Sequence, residues 1–261
     1  MNDRNIEYFL GKTRHKNVYF KGEIPPAWQF ESYHIKLKNY VNSTIAPIRH
    51  TYTINNLGYN STFDYDDSLL ETRNILCLGD SCTFGLLVSK DQLWTTQLQK
   101  LLPNTKVMNL GLPGGSGDTV SRIGTNIVMK LSSTIDAVLV VWPSYLRREF
   151  ASKKFHSLVY KTPNNTEILP YPDYWKFIDW QSNSYNFYKN KILLSSICQA
   201  NNIPFYDLEI NFSDELIKKD MIESFGQKEY TTFGFETHTS IANYFYKKVT
   251  KQPSLFESLQ S

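Results

Sequence analysis

From residue 73 onward the chain alternates between short apolar runs and longer segments with apolar residues at helical spacing. The apolar runs predict strands at Asn74–Leu78, Lys106–Leu110, Asp136–Trp142 and Ile203–Leu208. Apolar positions that recur every three or four residues predict helices at Gln92–Leu102, through Val120–Leu131, at Ser184–Ala200 and at Thr239–Thr250. Strands that alternate with helices are typical of a doubly wound parallel α/β sheet, which is the fold class we predict.

The same pattern predicts one core domain at 73–250 with a segment on either side. Residues 1–72 mix aromatic and basic residues without clear periodicity, and we interpret them as an N-terminal extension that packs on the core; residues 251–261 form a tail. Within the core, an irregular stretch at about 143–183 is rich in Tyr, Trp, Pro and Asn. It is longer than an ordinary connection, which indicates a functional insert such as a lid or a substrate wall.

The first apolar run ends at Gly79, and Asp80 and Ser81 follow before the next helix begins. In a parallel α/β sheet this order places Ser81 at the carboxyl edge, where such sheets bind their ligands. Ser81 is therefore the candidate nucleophile, and a serine hydroxyl needs a base within hydrogen-bond reach. Of the five histidines, His238 lies in a predicted loop between core elements, just before the last helix. His238 is the candidate base; the alternative is an ordinary helix-capping or half-buried histidine.

Composition and charge argue against several other classes of protein. A chain of 261 residues that is 41% hydrophobic and 20% charged can form one globular domain with a full core. Its net charge of +3 gives no reason to expect nucleic acid or an anionic membrane as a partner. Cys77, Cys82 and Cys198 cannot form a disulfide framework and their spacing fits no zinc site, so we expect no metal or other cofactor. No signal peptide or transmembrane segment is evident, and the expected location is cytoplasmic.

Three sequence blocks follow one another in order. They are Gly79-Asp80-Ser81 after the first strand, Asn109-Leu110-Gly111-Leu112-Pro113-Gly114 after the second, and His238 before the last helix. Together they resemble the SGNH/GDSL hydrolase superfamily over about residues 73–250. The resemblance implies a flavodoxin-like three-layer α/β/α sandwich and a Ser-His-Asp site that hydrolyses carboxylic esters. It also implies that the N–H groups of Ser81 and Gly114 hold the oxyanion, and that Asp80 orients the turn.

After the third strand the sequence departs from the family's pattern. The family supplies an Asn side chain there as a third oxyanion donor, whereas this strand runs into Trp142-Pro143-Ser144-Tyr145. The hydroxyl group of Ser144 or of Tyr145 is the candidate replacement; the alternative is an oxyanion hole with two donors. Since the loss of one such donor typically costs about 10²–10³ in rate, we expect activity to be low rather than absent.

A second departure concerns the acid of the triad. The family places Asp three residues before the histidine, and this chain has Phe235 at that position. Glu236 is the nearest carboxylate and is the candidate that orients His238, unless it is a solvated loop residue. A backbone carbonyl group and Asp207, at the end of the fourth strand, are the alternatives.

The candidate substrate-binding residues are Asp80, Tyr145 and Arg147. Arg147 or Arg148 can meet an acidic group of the substrate, and ordinary surface arginines are the alternative. Trp175, Phe177 and Trp180 can stack on a sugar or line an acyl pocket, or they pack the insert. We therefore predict a serine esterase that acts on a small-molecule or carbohydrate ester, for example an acetyl group on a sugar, with an O-acyltransferase as a close variant. The second hypothesis is a noncatalytic glycan-binding or structural module.

Overall fold

The structure is a computed structural model that describes most of the predicted core. The described residues are 55, 59–61, 63–65, 67–85, 88–112, 115–149, 158–160, 179–209, 221–223 and 231–251. Gly114, Trp175 and Phe177 lie outside these ranges, as do most of the predicted extension and the tail. Within the described ranges, no helix combines the length and the apolar character that a membrane span requires.

A parallel sheet of four strands forms the centre of the fold. Numbered in chain order, its strands are β1 (Asn74–Gly79), β2 (Lys106–Gly111), β3 (Ile135–Trp142) and β6 (Phe205–Glu209). Their spatial order is β2-β1-β3-β6, so β1 pairs with both β2 and β3, and Leu76 lies opposite Met108 and Val138. This confirms the predicted parallel α/β sheet. The strand ends differ from the predicted ones by at most two residues.

Helices cover both faces of the sheet. The helices are α1 (Ser81–Phe84), α2 (Trp94–Leu101), α3 (Gly117–Leu131), α4 (Trp180–Ala200) and α5 (Phe235–Thr250). Because successive strand residues point to opposite sides, Ile75 and Cys77 form one apolar core with α2 and α5, while Leu76 and Leu78 form another with α3 and α4. The fold is therefore a three-layer α/β/α sandwich, as predicted. Each fully buried aliphatic side chain contributes about 1.5–3 kcal/mol to its stability.

Helix α4 begins four residues before the predicted start at Ser184. The Asp179 carboxylate accepts the backbone N–H of Ser182 at 2.7 Å and so caps the helix, which starts at Trp180. The sequence pattern does not reveal this first turn because its residues are polar or exposed. The insert predicted at 143–183 thus ends in regular helix.

Helix α5 also begins one turn early. It starts at Phe235 after Gly234, whereas the apolar pattern predicted a start at Thr239. The prediction that His238 lies in a loop before this helix is therefore wrong, since His238 lies in the first turn of α5. The pattern failed here because Phe235 and Glu236 are exposed and carry no apolar periodicity.

Short antiparallel strands follow β3 and β6. They are β4 (Arg147–Glu149) with β5 (Leu158–Tyr160), and β7 (Met221–Glu223) with β8 (Thr231–Phe233). β4 belongs to the predicted insert and returns the chain towards α3. β8 lies against α1 and leads directly into α5.

Residues before β1 also pack on the core. Tyr59, Tyr65 and Leu69 are buried in the core shared with α3 and α4. The Tyr65 hydroxyl group donates to the Asn109 carbonyl oxygen at 2.8 Å, and the Asn60 side chain donates to the Phe84 carbonyl oxygen at 2.7 Å. The second bond gives a partner to a buried carbonyl group at the end of α1 and so helps to hold that helix.

Candidate active site

Ser81 lies at the carboxyl edge of the sheet, beside the ends of its central strands. β1 ends at Gly79, Asp80 follows, and Ser81 is the first residue of the single-turn helix α1. The residue is half-buried, so part of its surface remains accessible to solvent. This edge is where open α/β sheets bind their ligands.

Two glycines bring the turn that carries Ser81 into close contact with its surroundings. A Cβ atom on Gly79 would lie 2.1 Å from Thr83 Oγ1. A Cβ atom on Gly111, the last residue of β2, would lie 2.2 Å from the backbone nitrogen of Phe84. Since atoms do not approach one another so closely, any larger residue at Gly111 would push α1 away from the sheet. The glycines of the first two sequence blocks therefore determine where Ser81 sits.

The loop after β2 is hydrogen-bonded to the end of β1. Leu112 donates its N–H to the Gly79 carbonyl oxygen at 3.1 Å, and Gly115 donates its N–H to the Leu112 carbonyl oxygen at 2.8 Å. These bonds tie the described ends of the loop to the edge at which Ser81 lies. Gly114, the predicted second oxyanion donor, is outside the described residues and its role stays a prediction.

Asp80 is a buried carboxylate with a partner on each oxygen. Its Oδ1 accepts the backbone N–H of Cys82 at 3.0 Å, which caps α1, and its Oδ2 forms an ion pair with Arg147 Nη1. The same Nη1 donates to the Gly115 carbonyl oxygen at 3.3 Å. Asp80 thus organises the turn that precedes Ser81, and the Arg147 charge faces a carboxylate of the protein itself.

Ser144 and Tyr145, the candidate third oxyanion donors, have partners within the protein. Ser144 Oγ accepts the backbone N–H of Leu146 at 3.3 Å, which shapes the turn into β4. The Tyr145 hydroxyl oxygen accepts the indole N–H of Trp180 at 3.0 Å, and the two rings meet nearly perpendicularly with centroids 6.3 Å apart. Both rings are exposed to solvent, so they offer an aromatic surface at the start of α4.

His238 is fully buried, with 0% of its surface exposed, and its ring caps a neighbouring helix. Its Nδ1 accepts the backbone N–H of Trp94 at 3.3 Å. Trp94 is the first residue of α2, and the N-cap residue Leu93 makes no side-chain capping bond. A neutral imidazole whose Nδ1 accepts a hydrogen bond carries its proton on Nε2. In this state Nε2 can donate a hydrogen bond but cannot take a proton from a serine.

Glu236 and His238 differ in burial, although both lie in the first turn of α5. Glu236 is exposed whereas His238 is buried, and residues two positions apart on a helix do not face each other. The role of Glu236 as the group that orients the imidazole stays a prediction. Asp207, the weaker alternative, accepts the indole N–H of Trp142 at 2.9 Å and pairs with Lys191 Nζ at 2.6 Å. Both of these partners hold Asp207 on the side of the sheet covered by α4.

Asp118, in the first turn of α3, joins three elements near the site and was missed by the sequence reasoning. Its Oδ1 accepts the side-chain amides of Asn186 (2.9 Å) and Asn190 (2.7 Å), both on α4, and its Oδ2 accepts the backbone N–H of Glu149 on β4 (3.1 Å). The signal that could have revealed this contact is the polar stripe on α4, where Asn183, Asn186 and Asn190 recur at helical spacing.

Arg148 borders an open recess beside this polar contact. The recess measures about 480 Å³ and is lined by Arg148, Gln181, Ser182, Tyr185 and Asn186. Arg148 donates from Nη2 to the Ser182 carbonyl oxygen at 2.6 Å and from Nε to the side chain of Asn183 at 3.2 Å. Arg148 therefore anchors β4 to α4 and is more than an ordinary surface arginine.

Comparisons with known proteins show similarities of fold. The chain matches no protein-family model and no curated protein. Solved structures similar to it include the psychrotrophic esterase EstA from Pseudoalteromonas sp., at 12% identity over 69% of this chain and 97% of that chain with a TM-score of 0.42. They also include the SGNH-hydrolase family esterase AlinE4, at 14% identity over 69% and 73% with a TM-score of 0.36. A lipolytic protein of the G-D-S-L family from Veillonella parvula is similar at 14% identity over 69% and 100%, with a TM-score of 0.36. The descriptions of the last two structures name the SGNH-hydrolase and G-D-S-L families, which is the superfamily that the three sequence blocks resemble.

Proposed function

We propose that this chain is a carboxylic ester hydrolase in which Ser81 is the nucleophile. The observation that carries the proposal is the position of Ser81, half-buried at the carboxyl edge of the central strand and held there by Gly79, Gly111 and the capping carboxylate of Asp80. A serine at this edge lies where open α/β sheets bind their ligands, which is where a nucleophile for a substrate carbonyl is needed.

In the proposed reaction Ser81 Oγ attacks the ester carbonyl carbon while His238 takes the hydroxyl proton. The oxyanion of the tetrahedral intermediate accepts hydrogen bonds from the N–H groups of Ser81 and Gly114. When the intermediate collapses, the bond to the alcohol breaks and His238 returns the proton to it, leaving an acyl group on Ser81. Water then attacks the acyl-enzyme by the same route, which releases the acid and restores the serine.

This mechanism places a requirement on His238. To accept the serine proton at Nε2, the ring must carry its other proton on Nδ1, and Nδ1–H cannot accept the N–H of Trp94. The proposal therefore requires the bond between His238 and Trp94, which is long at 3.3 Å, to open in the reactive state.

For the substrate we propose a small acyl ester on a carbohydrate. The recess beside β4 supports this choice because it combines Arg148, amide side chains and the exposed ring of Tyr185. Aromatic faces and planar polar groups are the side chains that bind sugars. An acyltransferase differs only in the second step, in which a sugar hydroxyl replaces water, and product analysis with an added sugar acceptor separates the two.

The second candidate function is a noncatalytic carbohydrate-binding module on the same fold. The burial of His238 and its bond to Trp94 favour this candidate, because they give the histidine a purely structural role. In that case Ser81 is an ordinary hydroxyl group without a base.

The experiment measures hydrolysis of p-nitrophenyl acetate and labelling by a serine-directed phosphonate in the wild type, Ser81→Ala and His238→Asn. Asparagine can still offer an oxygen to Trp94, so His238→Asn removes the base while it keeps the capping acceptor. We expect wild-type turnover and labelling that both vanish in Ser81→Ala and fall about 10²–10⁴-fold in His238→Asn.

Two results would contradict this proposal in different ways. A wild type that is neither labelled nor active above Ser81→Ala supports the noncatalytic module. A fully active His238→Asn variant leaves Ser81 as the nucleophile but removes His238 from the mechanism.

A further inference from the structure

We infer that Arg147 is a positioning residue for Ser81, which joins Asp80 to the loop after β2 and neutralises the carboxylate next to the nucleophile. This inference rests on the proposed function and deepens it. It also reassigns Arg147, which the sequence offered as a contact for an acidic substrate group.

The first argument is that Arg147 connects the segments that follow three neighbouring strands. It lies on β4, after β3, and its Nη1 reaches both Asp80 after β1 and the Gly115 carbonyl oxygen after β2. Besides the direct bond from Leu112 to Gly79, the position of Ser81 relative to the loop after β2 therefore depends on a side chain that belongs to neither segment. A shift of about 1 Å between these segments is enough to lower a catalysed rate about 10²-fold.

The second argument is the burial of the ion pair. The Asp80 side chain is 6% exposed and that of Arg147 is 24% exposed. Exposed ion pairs contribute little because water screens them, whereas removing one partner of a buried pair leaves an uncompensated charge. The bond from the Cys82 N–H to Asp80 Oδ1 also keeps this carboxylate inside the turn, so the uncompensated charge would stay buried.

The third argument is the charge of the proposed intermediate. Asp80 directly precedes Ser81 in the chain, so a carboxylate without its arginine would lie in the same turn as the developing oxyanion. Like charges repel each other more strongly at a partly buried site than in bulk water. Arg147 therefore acts through Asp80, both by holding the turn and by cancelling a charge that would oppose the reaction.

The test compares Arg147→Met, the double variant Asp80→Asn/Arg147→Met and the control Arg73→Met in the full chain with p-nitrophenyl acetate. Arg73 pairs with Asp136 at the opposite end of β1 and β3, so its replacement removes an arginine–aspartate pair far from Ser81. Thermal unfolding of each variant establishes that the protein assayed is folded.

We expect kcat of Arg147→Met to fall about 10²-fold with little change in KM. The double variant should recover about tenfold of that loss, because asparagine still caps α1 and leaves no unpaired charge. Arg73→Met should match the wild type. A kcat for Arg147→Met within about threefold of the wild type, a double variant no faster than Arg147→Met, or a loss confined to KM for anionic esters would each overturn the inference.

Amide hydrogen exchange tests the positioning role without any activity. If Arg147 holds the turn, the hydrogen-bonded amides of Cys82 and Phe84 should exchange about tenfold faster in Arg147→Met than in the wild type. Should the wild type show no Ser81-dependent turnover, the proposed function fails while faster exchange still supports the positioning role. Unchanged exchange overturns it.

Discussion

Replacing His238 by Ala should lower the free energy of unfolding by about 3 kcal/mol. The change leaves the backbone N–H of Trp94 buried without the acceptor it has at 3.3 Å, which costs about 1–3 kcal/mol. It also removes a side chain that is 0% exposed and so opens a cavity between α5 and α2. Large-to-small changes at buried sites cost about 2–5 kcal/mol in total, and the value of about 3 kcal/mol lies within that range.

The matched variant His238→Asn separates the hydrogen bond from the cavity. Asparagine is smaller than histidine but keeps an oxygen for Trp94, so this variant should be about 1 kcal/mol more stable than His238→Ala. Urea denaturation followed by tryptophan fluorescence gives both values, and thermal unfolding should show a melting temperature for His238→Ala about 6–12 °C below that of the wild type. If the two variants are equally destabilised, the capping bond contributes nothing. If His238→Ala is within about 0.5 kcal/mol of the wild type, the histidine has no structural role at this position.

Two further predictions concern the glycine contact and a buried thiol. Gly111→Ala should destabilise the protein by about 3 kcal/mol and abolish labelling of Ser81, because its Cβ would lie 2.2 Å from the backbone nitrogen of Phe84. Gly117→Ala is the control, because the atom nearest to its added Cβ would be 3.7 Å away. An alanine at this helical position should be neutral or stabilise the protein by up to about 1 kcal/mol. Equal melting temperatures for Gly111→Ala and Gly117→Ala would contradict the reasoning. Burial raises the pKa of the Cys198 thiol to about 12, so the native state cannot form the thiolate that the unfolded state forms above about pH 9. The contribution of this group to the free energy of unfolding is therefore fully present below that pH and is lost as the pH rises towards 12, by about 1.4 kcal/mol at pH 10. Urea unfolding at pH 7 and pH 10 should show a smaller loss of unfolding free energy in Cys198→Ala than in the wild type. The same loss in both proteins would refute the assignment.

The sequence by itself determined the sheet and the position of Ser81. The strands are apolar on both faces, as in Asp136–Trp142, so their burial can be recognised without knowledge of their partners. Gly79 marks the end of β1, and the carboxyl ends of parallel strands meet at one edge whatever the helices do. Local composition and the rules of α/β topology were therefore sufficient to place Ser81 and the loop after β2 together.

Only the tertiary structure decided the partners of the candidate site residues. His238 caps Trp94, which lies 144 residues earlier in the chain, and Arg147 pairs with Asp80, which lies 67 residues earlier. The sequence showed the chemical types of these side chains but not which polar groups would need them. Glu236 illustrates the difference, since it lies two residues before His238 but is exposed whereas the histidine is buried, and periodicity alone did not show this. The reason is that periodicity indicates which residues are buried. The hydrogen-bond partner of a buried donor or acceptor depends instead on which groups the packed elements bring within hydrogen-bond distance.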